Sequence, residues 1–139
     1  LEVFGRMVEA QGGEQRIVED PTLMPAPRHS LRIDADCDGF IDLLPARRIG
    51  QTCAALGAGR ITATDSIDPA AGIRILAPTG TPVTAGDPIL ELVASDRERI
   101  EHAARMAREF VSVTVDPVDL GPLVLETVNV ADRDETVTE

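Results

Sequence analysis

Three prolines fall within seven residues, at Pro21, Pro25 and Pro27, and they divide the chain. Proline fixes its own φ and lacks a backbone N–H, so such a run neither continues a helix nor sits inside a sheet. Residues 14–30 therefore read as a connection between two bodies. Before it, residues 1–10 read as a helix. Leu1, Phe4, Met7 and Val8 share one face, while Glu2, Arg6 and Glu9 lie off it. Gly12 and Gly13 stop that helix, because glycine takes the left-handed cap with least strain. The helix is expected to belong to whatever body precedes the connection.

After the connection the punctuation becomes dense. Leu31 and Ile33 alternate with charge, and Asp38-Gly39 is a turn signal ahead of Phe40 and Ile41, so residues 31–44 form a candidate hairpin. Pro45 suits a first helical turn. Ile49, Thr52, Cys53 and Leu56 recur at helical spacing, and Gly57 ends that helix. Residues 65–69 read as loop, and Ile73, Ile75 and Ala77 alternate as a strand. Gly80 to Ile89 reads as two turns around one inward Val83, with a strand over 89–93. Ser95 and Glu98 have capping-box spacing. Ile100, Ala103, Ala104, Ala107, Phe110 and Val111 make one stripe of a helix. Val113, Val115, Val118, Leu120, Leu123 to Leu125 and Val128 are strand-prone but interrupted by Pro117 and Pro122. Residues 129–139 are expected to be a disordered acidic tail, since 131–139 has no apolar periodicity.

The totals exclude several functions. A chain of 139 residues suffices for one domain with a real core and is marginal for two. With no Trp or Tyr and three Phe, the core must be aliphatic. No apolar run approaches the roughly 18 residues of a membrane span, and the charged start is not a secretory signal. The chain also lacks an initiator Met and reads as a fragment or a processed product. Its net charge is −11, and residues 116–139 hold seven acids against Arg133 alone. Without a basic patch or stacking aromatics, nucleic acid is not an expected partner. All 13 basic residues are Arg. That removes Schiff-base, P-loop, biotinyl and lipoyl lysines. Cys37 and Cys53 read as reduced cytosolic thiols rather than a disulfide.

Few motifs carry chemistry. Asp34, Asp36, Asp38 and Gly39 imitate the first half of a calcium loop, but the twelfth position, where a bidentate Glu belongs, is Pro45. A polar turn at Gly39 is the simpler reading. Gly57-Ala58-Gly59-Arg60 could cradle a phosphate. It follows a helix, however, and a helix C-terminus presents carbonyls rather than N–H groups; a tight structural turn fits better, with a contact to a neighbouring domain also open. Asp65 and Asp68 could pair as acid and base, although that spacing suits a turn and a cap better. His29 and His102 are isolated, with no second ligand at metal spacing. No Ser, Thr or Cys has a nearby base, so no catalytic, cofactor or metal residue is nominated.

Four segments stand in order: Met7 to Gly13; Asp38 to Ile41; Ile49 to Arg60 with Asp65, Asp68 and Gly72; and the Gly80, Val83, Gly86, Asp87, Pro88, Ile89 turn. Together they resemble the C-terminal end of bacterial thymidine and pyrimidine-nucleoside phosphorylases, over residues 1–111. The run Gly57, Gly59, Arg60, Asp65, Asp68 and Gly72 is the most specific signature. Glu14 and Pro82 depart from the family pattern, which more often has Asp at both.

The resemblance implies an α+β chain: an α/β-hammerhead domain, or barrel-sandwich hybrid, over 31–128, preceded at 1–13 by one helix of the adjoining α/β domain. It implies a cytoplasmic, homodimeric parent that splits pyrimidine (deoxy)nucleosides with phosphate, giving base and (deoxy)ribose 1-phosphate. Phosphate would be a co-substrate and no cofactor is expected. The partners would be the parent's α and α/β domains. The family's catalytic and phosphate-binding residues belong to those domains and match nothing here, so this chain alone is expected to be inactive. A free-standing protein-interaction module of the same fold is the alternative.

Overall fold

Strand β5, Pro88–Ala94, is the element on which the fold is built. The computed structural model describes residues 1–42, 44–60 and 62–128; the expected disordered tail at 129–139 lies outside them. In chain order the elements are α1 (Glu2–Ala10), 3-10 turns at Gln15–Val18 and Pro21–Leu23, β1 (His29–Asp34), β2 (Gly39–Ile41), α2 (Ala46–Leu56), β3 (Gly72–Ile75), β4 (Pro82–Val83), β5, α3 (Arg97–Arg108) and β6 (Val113–Thr114). They make a small mixed α+β fold with two three-stranded antiparallel sheets.

In the first sheet β5 lies between β1 and β3. Leu31, Leu92 and Ile73 stand in one cross-strand row, and Ile33, Leu90 and Ile75 in the next. Strand side chains alternate between faces, so these rows make one apolar face, on which α2 and α3 pack. Leu90, Leu92 and Ala94 are fully buried. The opposite face carries the row Arg32, Glu91, Arg74. There Glu91 accepts from Ser30 Oγ at 2.7 Å and from Arg74 Nη1 at 2.9 Å.

The expected helical stripe of α3 is the buried one. Ile100, Ala103, Ala104 and Ala107 are inside, and Phe110 and Val111 pack at the edge of the core. Three alanines let the α3 backbone lie close to its neighbours. On α2, Thr52 and Leu56 are fully buried. Thr52 Oγ1 donates to the Arg48 carbonyl at 2.9 Å, so this buried hydroxyl is satisfied.

Residues 31–44 do not form the expected hairpin. β1 pairs with β5, whereas β2 pairs with β4 and β6 in the second sheet. The chain passes between the sheets at buried Ala35, whose N–H donates to the Asp87 carbonyl and whose carbonyl accepts the Gly86 N–H, both at 2.8 Å. The Asp38-Gly39 signal marks this passage. Asp38 Oδ1 accepts the Ala85 N–H at 2.8 Å. Gly39, at φ 154°, lies so near β6 that a Cβ there would strike the Thr114 carbonyl oxygen and stand 2.8 Å from Val113 Cγ1.

The turn around Val83 is as expected: Val83 is buried, and Asp87 Oδ2 accepts both the Thr84 N–H at 2.7 Å and its hydroxyl at 2.9 Å. After α3 the strand-prone stretch pairs only at Val113–Thr114; residues 115–128 have no regular structure. Pro117 and Pro122 cannot donate to a ladder. α1 packs on the Gln15–Val18 turn, with Gly5 buried against Gln15. Its Leu1, Val3, Phe4 and Met7 side chains are exposed. Among the described residues no helix is long and apolar enough to cross a membrane.

Candidate functional site

Residues 57–72 join α2 to β3, and their cohesion begins at the helix end. Gly57 caps α2 at φ 105°, a left-handed geometry that glycine adopts without a Cβ penalty. The Gly57 N–H donates to the Ala54 carbonyl at 3.0 Å and the Ala58 N–H to the Cys53 carbonyl at 3.1 Å. Both donors are thus turned back onto the helix, and the Gly57 carbonyl accepts the Asp68 N–H at 2.8 Å. Gly57 and Ala58 therefore do not offer their N–H groups to an anion at this turn. Arg60 is exposed. At Gly59 an added Cβ would meet Ala54 at an ordinary 3.6 Å.

Asp65 and Asp68 have separate tasks. Asp65 accepts the Thr62 N–H at 2.8 Å and the Thr62 hydroxyl at 2.6 Å, closing a local turn. Asp68 reaches further. Its Oδ1 takes the Ala70 N–H at 3.0 Å and its Oδ2 the Ser95 N–H at 2.8 Å. The Ser95 N–H, with those of Ala70 and the Ser95 hydroxyl and the charge of Arg99, holds the Asp68 carboxyl below its ordinary range against the opposing effect of burial. A carboxylate stabilised in this way is a poor proton acceptor near neutral pH. Gly72 opens β3 opposite Val93.

A cleft of about 370 Å³ lies here, lined by Ser66, Ile67, Asp68, Pro69, Ser95, Asp96 and Arg99. Asp96 is the cap of α3; its Oδ1 accepts the N–H groups of Glu98 at 2.8 Å and Arg99 at 3.2 Å. The expected cap, Ser95, stands one residue earlier, with its N–H given to Asp68. Arg99 extends over the α2 terminus, where its Nη1 stands 2.7 Å from the place a Gly57 Cβ would occupy. The signature residues Gly57 and Asp68 thus meet at one junction of α2, α3 and β5, with Arg99 as the member that sequence spacing did not reveal. In this cleft the Asp68 and Asp96 carboxylates hold backbone N–H groups, and the Ser95 hydroxyl and the Arg99 charge also bear on Asp68.

The histidines, the acids of the calcium-like stretch and the cysteines lie elsewhere. His29 begins β1 opposite Ala94, and His102 is exposed on α3. Asp34 stands opposite Pro88 in the first sheet, and Asp38 is committed to Ala85. Among the described residues no three His, Cys, Asp or Glu gather as a metal site. Cys37 and Cys53 are free thiols. A hydrogen bond with Asp36, then burial and the charges of Asp36 and Asp38, push Cys37 up. Burial pushes Cys53 up against a bond from the Ile73 N–H. Both shifts disfavour the reactive thiolate.

Comparison with known proteins places this architecture. The family described as pyrimidine nucleoside phosphorylase C-terminal domain matches residues 40–114. The chain is similar to the pyrimidine-nucleoside phosphorylase of Geobacillus stearothermophilus, 27% identical over 129 residues, covering 93% of this chain and 30% of that protein. It is 31% identical over 127 residues to the pyrimidine-nucleoside phosphorylase of Bacillus subtilis, covering 91% and 29%. To the thymidine phosphorylase of Agrobacterium fabrum it is 31% identical over 130 residues, covering 92% and 30%. The chain thus spans about three tenths of the length of these relatives. With its family match running from β2 through β6, the chain belongs to the pyrimidine nucleoside phosphorylase C-terminal domain family.

Proposed function

We propose that this chain is the C-terminal, non-catalytic structural part of an enzyme that phosphorolyses pyrimidine (deoxy)nucleosides to free base and (deoxy)ribose 1-phosphate. The observation that carries the reading is the family match over residues 40–114. The parent's reaction would break the N-glycosidic bond as a phosphate oxygen bonds the anomeric carbon, and it would need no cofactor. Catalytic groups would come from the α and α/β domains of a cytoplasmic homodimer. Here the residues would buttress the α/β domain whose closure brings phosphate and nucleoside together.

In this reading residues 1–13 are the last helix of the α/β domain, 14–30 the connection, and 31–128 the α/β-hammerhead domain. The two small sheets, with the passage between them at Ala35, support that assignment. The exposed Leu1, Phe4 and Met7 face on α1 supports a docking role for the helix.

The test is phosphorolysis of thymidine and uridine by the purified 139-residue chain beside the full-length product of the native gene. The full-length protein should release base, and the chain alone should not. Turnover by the chain, abolished by Arg60→Ala or Asp68→Asn, would overturn the proposal.

A further inference from the structure

We infer that residues 115–128 are a second docking arm, which lies against the same preceding part of the longer polypeptide as α1. The inference rests on the reading of the chain as the C-terminal part of a phosphorylase, and it adds an attachment that reading does not contain.

Exposed apolar surface is concentrated at the two flanks. Of the fifteen exposed large apolar side chains among the described residues, six lie before residue 25 and six after residue 114. Only Ile67, Ile75 and Leu76 lie between. The family match, 40–114, covers the part whose apolar side chains are largely enclosed. The similarity to full-length relatives nonetheless runs over 127–130 residues, so it takes in flanking sequence as well. In those relatives about seven tenths of the protein lies outside the matched region and can cover such flanks.

The arm is shaped before it docks. Asp119 Oδ1 accepts the Gly121 N–H at 2.9 Å, and Gly121 turns at φ 60°. Pro117 and Pro122 fix φ on either side. Leu120 passes beside Gly80, its methyl carbons 3.5 Å from where a Gly80 Cβ would be, and stays 66% exposed. Beyond this bend Leu123, Val124 and Leu125 project at 101%, 67% and 89% exposure. The turn and the two prolines restrict the backbone that leads into these three consecutive apolar side chains, which lowers the ordering cost of docking them. Glu126 is the one charge between 120 and 128, so the surface that receives them is apolar.

The experiment compares the 139-residue chain with the full-length product of the native gene. Leu123→Cys and Phe4→Cys are made in each, and alkylation by iodoacetamide at each site is followed by peptide mass spectrometry. Both sites should react at least tenfold more slowly in the full-length protein. Slowing at Phe4→Cys alone would overturn the arm and leave the proposed function standing. Slowing at neither site would remove both. Concentration-dependent protection of Leu123→Cys in the short chain would show a second copy as the occupant and overturn the inference. Amide hydrogen exchange over residues 118–128 of the unsubstituted proteins makes the same comparison, with equal rates counting against the arm.

Discussion

The Ser95 N–H donates to Oδ2 of Asp68 across 2.8 Å, while Oδ1 of that carboxylate takes the Ala70 N–H. One side chain thereby ties the loop ahead of β3 to the start of α3. The Asp68 N–H reaches the Gly57 carbonyl as well, so the end of α2 joins the same knot. Of the six signature residues, Gly57 and Asp68 take part in this clasp.

The clasp makes a pH prediction. The folded-state Asp68 carboxyl titrates below its ordinary value of 3.8, chiefly because of the Ser95 N–H, so the native chain binds fewer protons in that interval. Its stabilisation is complete above the ordinary value and is lost as pH falls through the lowered one. Asp68→Asn should cost about 1–2 kcal/mol at neutral pH, since an amide cannot accept from both N–H groups as a carboxylate does. In urea melts the gap between native and variant should hold from pH 7 to about 5 and close below about 4. A gap that widens on acidification would contradict this role.

Gly57→Ala should be destabilising but tolerated. The left-handed φ of 105° opposes a Cβ, and the nearest atom it meets is Arg99 Nη1, the far end of a flexible side chain that can move aside. The expected loss is about 1 kcal/mol, from backbone conformation. Chemical denaturation reads it directly, and an unchanged midpoint would mean the turn relaxes out of the left-handed region.

Gly39→Ala should cost more, roughly 2–3 kcal/mol. The Cβ would strike the Thr114 backbone carbonyl, and Val113 beside it belongs to the same strand. Neither can yield without displacing β6 from β2. The ordering of the two alanine variants is the check. If Gly57→Ala proved the more damaging, the close approach of β2 and β6 would not be the controlling contact.

The contrast between these glycines shows what the sequence could carry. Gly57 ends a run of helical spacing, so its place was legible locally, as were the α3 stripe and the inward Val83. Gly39 stood in an equally plain turn signal, yet a turn signal does not name its partners. Those partners, Val83 and Thr114, lie far along the chain. The α3 cap stands one residue beyond the place the capping-box spacing predicts, for a related reason. Ser95 has the better spacing to Glu98, but Asp96 is adjacent and its carboxylate reaches two N–H groups. The Asp68 clasp and the position of Arg99 were not legible, because both depend on α2, β5 and α3 meeting in space.

Ala104 tests how closely those elements meet. It is buried at 1% exposure, with Ala103 and Ala107 also inside, so α3 offers backbone and methyl groups rather than bulk to its neighbours. A larger side chain must push the helix away from β1, β5 and α2, its partners in the fold. Helix propensity argues the other way, since leucine is nearly as good a helix former as alanine. Packing should prevail: overfilling a closed interior costs about 1–3 kcal/mol, against a few tenths for propensity. Ala104→Leu should therefore lower the urea midpoint with little change in slope, and Leu at exposed Arg105 should leave it nearly unmoved. If the two variants were equally stable, the alanine stripe would be a matter of composition rather than of close approach.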